Sequence, residues 1–262
     1  MKPKIAAWIT SLSLILQSVS SAFAVPVAQL VDASGSVNVS SAKLAPRPIS
    51  KGNGVDSGMI VTTGEKSKAV LRFQDGQLIA LQSNSVFRVN KYKFDRNAPG
   101  KGQISFSLLK GGLRAISGLI GDRNGQNWKL EMPAATVGIQ GTDFLAVIYQ
   151  GVYAQVTSGE ISLTNSAGTE VFAVGQTAYV GSAAALAYTI RSSLAPDRIF
   201  NELKAIDLSD VDGGAASGAG DAVPAGRTIF GLPAGATIAI GVGLAAAAVA
   251  AASGGGSSTT HH

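Results

Sequence analysis

The residues able to do catalytic chemistry are few. The chain has no Cys, and its only two His are the adjacent terminal residues His261 and His262. The body of the sequence therefore has nothing with which to build a thiolate nucleophile, a disulfide, a His-centred triad or a His-ligated metal. Carboxylates remain. Asp32, Asp56, Asp143 and Glu160 are of the type that pairs in glycoside hydrolysis, but nothing in their spacing brings two of them together. Asp122-Arg123-Asn124-Gly125-Gln126 opens like a calcium loop. Asn127 stands where such a loop needs Gly, and Pro133 where it needs a bidentate Glu, so the segment reads as an exposed hairpin turn. The sequence assigns no catalytic residue, no cofactor and no metal ligand. It reads as a non-enzyme.

The charges with the clearest pattern are basic. Residues 65–129 hold twelve Lys and Arg against four acids. In Arg88-Val89-Asn90-Lys91-Tyr92-Lys93-Phe94, basic and apolar residues alternate. A strand here would present Arg88, Lys91 and Lys93 on one face, with Tyr92 and Phe94 towards the core, and Arg96 extends the basic set. Two readings fit: a solvated face, or contact with an anionic envelope partner such as an acidic polysaccharide or a protein surface. Residues 197–221 are the reverse, with six Asp and Glu against Arg198 and Lys204. A formal net charge of +5 over 262 residues is small for a nucleic-acid binder, and none is expected as partner.

These residues need a scaffold, and the scaffold reads as strands. Charged residues are 14% of the chain, against about 25% in typical soluble domains, and Gly is abundant at 32. Alternation runs through most of residues 27–180, as in Val37/Val39, Ala69/Leu71/Phe73, Ile104 to Leu108, Trp128 to Met132, Phe144/Ala146/Ile148 and Val152/Ala154/Val156. Asp75-Gly76 and Asn165-Ser166-Ala167-Gly168 read as turns. No helix-period stretch competes before residue 195. The expected domain, residues 25–190, is all-β: a sandwich, a barrel or a β-solenoid.

Beyond it the composition changes. Pro196 can open a helix, and Ile199, Phe200, Leu203 and Ile206 share one apolar face. A short helix within 191–212 is expected to cap an open end of the β core. Residues 213–228 read as a flexible linker. Residues 229–252 carry no charge and are long enough to span a bilayer, but they are mostly Ala and Gly. They are either a low-complexity tail or a marginal transmembrane helix associating the protein with a membrane. Residues 253–262 form a polar tail.

The N-terminus reads as an export signal. Lys2 and Lys4 precede an uncharged apolar stretch that ends in Ala22-Phe23-Ala24, the small-x-small pattern of signal-peptidase sites. Residues 1–24 are expected to be removed, giving an exported protein of the periplasm or cell envelope.

One set of motifs carries a family likeness. Met132-Pro133-Ala134-Ala135-Thr136-Val137-Gly138-Ile139-Gln140-Gly141-Thr142-Asp143-Phe144 resembles the signature of FecR-type periplasmic domains. Upstream, Gly58 to Gly64, Lys68 to Gly76 (with Asp75-Gly76), Leu81 to Ser85 and Leu109 to Arg114 resemble the family's earlier segments, in its order over residues 55–146. Gln140 is a departure, because the family usually has Arg there. The resemblance implies a β-solenoid-like or rolled β-sheet. The signature residues Asp75, Gly76, Gly138, Gln140, Gly141, Thr142, Asp143 and Phe144 are expected either to form a corner of the β fold or to line a ligand-contacting loop. The family's best-known members are similar to transmembrane regulators that join a cytoplasmic anti-sigma segment to this domain. This chain lacks that layout, so direct sigma-factor control is not expected. The resemblance and the residues together imply a non-catalytic exported binding module in envelope signalling or protein–protein interaction. The alternative is a structural or adhesive surface protein binding anionic polysaccharide.

Overall fold

The computed structural model describes residues 25–191, 199–208 and 211. The fold below is that of these residues, all of which lie within Met1–Ala215. The expected leader, the linker, the 229–252 stretch and the polar tail lie outside the described residues. Among the described residues no helix is long and apolar enough to cross a membrane.

Among the described residues, sixteen strands make one sheet, curled into a half-barrel. They are β1 (Ala28–Ser34), β2 (Val37–Ser41), β3 (Leu44–Pro48), β4 (Gly54–Val55), β5 (Ile60–Thr63), β6 (Lys68–Phe73), β7 (Leu78–Leu81) and β8 (Val86–Lys93). The second half adds β9 (Gln103–Lys110), β10 (Gly112–Ile116), β11 (Trp128–Glu131), β12 (Thr136–Ile148), β13 (Val152–Asn165), β14 (Gly168–Ala173), β15 (Thr177–Val180) and β16 (Tyr188–Ile190). Among the described residues two short helices accompany them, α1 (Leu119–Arg123) and α2 (Asn201–Lys204).

The main path runs β3-β2-β5-β8-β9-β11-β12-β10-β7-β6-β1-β4, and β13 branches from β12 to carry β14, β15 and β16. The pairs are antiparallel, apart from β9 with β11. A solenoid stacks parallel coils, so this pairing realises the rolled-sheet form of the expectation. The roll is drawn together where β1 passes into β2. Ser67 Oγ accepts from the Ser36 amide at 2.9 Å, and Thr63 Oγ1 donates to the Gln82 carbonyl at 2.6 Å, tying β5 to the strand on the opposite arm.

Burial on both faces explains why several strands read as unbroken apolar runs. Ala69, Leu71, Phe73, Ile79, Leu81, Phe144 and Ala146 point into the curl. Val70, Leu78, Ala80, Leu145 and Val147, from the same strands, form a second apolar patch on the outer face. Inside, one chain of rings links the two arms: Phe73 lies 5.3 Å from Tyr92 and 5.0 Å from Phe106, and Trp128 lies 5.9 Å from both Phe106 and Phe144. The indole N–H of fully buried Trp128 donates to Gln77 Oε1.

The helical segments differ from expectation. Rather than capping an open end, Phe200, Leu203, Ile206, Leu208 and Val211 pack on the outer patch, where Val70 and Leu145 leave apolar surface to be covered. The Ser83 amide fastens the segment by donating to Glu202 Oε2 at 3.1 Å. Residues 122–126 are not a hairpin turn. Asp122 and Arg123 end α1, whose Ile120 is buried, and a 3-10 turn follows at Gly125–Asn127. A helix of five residues is too short to show a period, which is why alternation missed it.

Candidate functional site

Two regions use the residues singled out above: the outer face around β8, and the bend in β12. On β8, Arg88, Lys91 and Lys93 are exposed and Phe87, Val89 and Tyr92 are buried, while Phe94 packs partly against the core. Positions 88, 91 and 93 do not share the two-residue period of a regular strand. They share a face because the register slips by one residue between Val89 and Lys91, which pair with Phe106 and Ser105. Asn90 is the extra residue of this bulge. Its side-chain amide donates to Ser107 Oγ at 2.7 Å and Ser105 Oγ at 3.3 Å.

Sequence reasoning missed the fourth member of this face. β9 lies between β8 and β11, with Lys91 opposite Ser105 and Ser105 opposite Lys129. Lys129 therefore joins Lys91 across a floor of small serines. Glu131 is the one acid on these rows, and it accepts from Asn90 and from Ser107 Oγ at 3.3 Å. The ion pairs among the described residues are Lys68–Asp32 and Arg114–Asp143, so Arg88, Lys91, Lys93 and Lys129 are outside any. Arg96 is also exposed, but it lies past the end of β8 in the following loop, apart from the strand rows.

Next to this strip the outer face holds a groove of about 550 Å³ lined by Lys129, Glu131, Thr136, Gly138, Gln140, Glu160 and Ser162. Gly138 keeps its floor open: a Cβ there would stand 2.6 Å from Ser162 Oγ. Gln140 pairs with Glu160 across the ladder. An Arg at this position would face that carboxylate, and the chain carries a neutral amide in its place.

The other signature residues build the bend. Gly141 and Gly159 face each other with φ of +56° and +73°, and a Cβ on Gly159 would collide with the Gly141 carbonyl. The register slips here, from Gln140 opposite Glu160 to Asp143 opposite Ser158. Past the slip, Asp143 accepts two hydrogen bonds from Arg114 of β10, at 2.9 and 2.6 Å. Hydrogen bonding to Asp143 holds the Arg114 guanidinium above its ordinary value, against its partial burial. Thr142 and Phe144 are buried. These residues sit at the register slip of β12, while Gly138 and Gln140 line the groove.

Asp75 and Gly76 form a second structural node. Gly76 takes φ of +89° in the turn between β6 and β7. The Asp75 amide donates to the Tyr92 hydroxyl oxygen at 2.8 Å, and that hydroxyl donates to Asp75 Oδ1 at 3.0 Å. Asp75 Oδ2 accepts from the Ile120 amide at 3.4 Å, locking α1 against the turn. Burial pushes the Asp75 carboxyl above its ordinary value, opposed by these hydrogen bonds. Burial, with Asp75 close by, pushes the Tyr92 hydroxyl up as well. No group of His, Cys, Asp and Glu among the described residues could hold a metal ion.

Part of this rolled sheet, including its bend at 141–143 and its pinned Asp-Gly turn, is similar to a known family. Residues 59–164, from just before β5 into β13, match the family model described as FecR protein. The resemblance carried by the motifs is thus met by the family model over that stretch. No curated protein matches the chain. Two crystal structures of a "putative anti-sigma factor" from Parabacteroides distasonis ATCC 8503 are similar at 11% identity and a TM-score of 0.41. Each alignment covers 50% of this chain and 59% of that one, so this chain spans little more than half of its neighbour's length.

Proposed function

We propose that the protein is a non-catalytic, exported binding module of the cell envelope, acting in signalling or protein–protein interaction, and that Arg88, Lys91, Lys93 and Lys129 form its contact surface. The observation that supports this most is the bulge at Asn90. It turns three cations to one side of β8, and β11 adds a fourth across a floor of serines. Exposed cations without ion pairs attract a partner carrying carboxylates or phosphates, and such attraction raises the encounter rate more than the affinity. The FecR match supports a regulatory rather than a catalytic role. The basic n-region and the Ala22-Phe23-Ala24 site support export, and the uncharged 229–252 stretch is the proposed point of membrane association.

The adhesive alternative uses the same chemistry, because a flat row of cations over small side chains also suits an extended acidic polysaccharide. A pull-down from envelope extract with wild type and with Arg88/Lys91/Lys93→Glu tests the surface. A protein partner recovered by wild type and lost with the variant supports signalling. Loss of only an acidic glycan supports adhesion. Equal recovery of every partner removes the basic strip from the account.

A further inference from the structure

Three of the chain's five tyrosines stand together on the β13–β15–β16 branch, and a fourth, Tyr149, lies on the hairpin between β12 and β13. Tyr153 pairs with Tyr179, and Tyr179 with Tyr188, so one row of rings runs across three strands. Ring centroids are 4.7 Å apart in the first pair and 5.7 Å apart in the second. The intervening residues Val152, Ala154, Ala178 and Val180 belong to the inner core, which places the tyrosines on the outer face. Tyr188 is 55% exposed, and Tyr149, on the hairpin beside the row, is 49% exposed.

Cross-strand pairing alone does not account for how firmly the middle ring is held. The Tyr179 hydroxyl donates to the Gln150 carbonyl at 2.8 Å. Gly151, at φ +132°, makes room for the ring, because a Cβ there would stand 2.7 Å from Tyr179 Cε2. A ring fixed in this way loses little freedom when a ligand stacks on it. The segments that carry the rings are uncharged: neither residues 149–156 nor residues 177–190 contain Asp, Glu, Lys or Arg, and the first cation past β16 is Arg191. Gln150 and Gln155 supply neutral hydrogen-bonding groups at the margin.

We propose that Tyr149, Tyr153, Tyr179 and Tyr188 form a platform for a neutral polysaccharide chain. The row runs across the strands, so a ligand lying on it cannot extend the β ladder as an added peptide strand would. Its recognition must come from ring faces and neutral hydrogen bonds. A pyranose chain offers both, with apolar C–H faces and hydroxyl edges. A nucleic acid or acidic polymer stacking on these rings would need cations beside them, and the two segments that carry the rings supply none. This platform is separate from the basic strip and does not depend on it.

Affinity electrophoresis of the full-length protein in gels containing laminarin, dextran or soluble chitooligosaccharide tests the proposal, with alginate and polyproline as controls. Retardation by at least one neutral glycan is expected. Tyr188→Ala and Tyr149→Ala, both at exposed positions, should weaken it by about three- to tenfold each, the scale of one aromatic contact. Arg88/Lys91/Lys93→Glu should leave it unchanged. The proposal is overturned if no neutral glycan retards the protein, if retardation occurs only with alginate or polyproline, or if both Tyr variants bind like wild type.

Discussion

Arg114 and Asp143 meet through two parallel hydrogen bonds of 2.9 and 2.6 Å, joining β10 to the strand just past the bend of β12. Both side chains are largely sheltered, at 23% and 11% exposure. The pair makes one unit of two segments that are 29 residues apart, the Leu-Lys-Gly-Gly-Leu-Arg step and the Gly-Thr-Asp signature. The bend is thereby fixed in register as well as in direction.

Removing one partner leaves a sheltered charge without its counterpart. Arg114→Ala or Asp143→Ala should cost about 1–3 kcal/mol, less than a fully buried pair because water reaches Arg114. Replacing both, as Arg114→Ala with Asp143→Ala, should cost less than the two single losses added together. Urea unfolding of the three variants measures the difference, and additive losses in the double variant would deny the coupling.

Gly159→Ala should be among the most damaging small substitutions. The new methyl group collides with the Gly141 carbonyl and must adopt φ of +73°. A loss of about 1–3 kcal/mol is expected, read as a lower thermal midpoint. Gly76→Ala also takes an unfavourable positive φ but meets no atom within 4 Å, so it should cost less.

Asp75 gives the fold a signature in pH. Its pKa is raised above 3.8 in the folded state, so the fold binds this proton more tightly than the unfolded chain does. The contribution is fully present below the unfolded pKa and is lost as pH rises through the folded one. Relative to Asp75→Asn, wild-type stability should therefore fall as pH rises from about 3.8 towards neutrality. Denaturation midpoints of both proteins over that range test this, and a relative gain with rising pH would contradict the burial argument.

Leu203 is fully buried where the α2 segment covers the outer patch. Leu203→Ala should cost about 2–4 kcal/mol if the segment unfolds with the sheet. If it detaches alone, global unfolding will move little and proteases will cut near residue 203 first. Limited proteolysis alongside melting separates the two outcomes.

Much of this fold was legible because one face of most strands is buried. Val37/Val39, Ala69/Leu71/Phe73 and Val152/Ala154/Val156 alternate for that reason, and the Asp75-Gly76 turn announced itself through its residue types. The parallel pairing of β9 and β11 was not legible, because no local pattern in Ile104–Leu108 names a partner 24 residues away. That pairing is what brings Lys129 to the basic strip. The bulge at Asn90 was also hidden: the run was read as simple alternation, yet Arg88 shares a face with Lys91 only because one residue is inserted into the register. The signature around Gly141 was legible as a corner or a ligand loop. What fixes its register was not legible, since Gly159 and Arg114, its partners there, lie far along the chain.

Site-specific photocrosslinking in the producing cell tests the central claim most directly. A photoreactive residue placed at Lys91, in the middle of the basic strip, should give a discrete adduct with an envelope component, and the yield should fall as salt is raised. The same residue at Glu170, an exposed position on β14, should give none. A discrete adduct from position 170 and none from position 91 would contradict the account, because it would place the partner on a surface that carries none of the four cations.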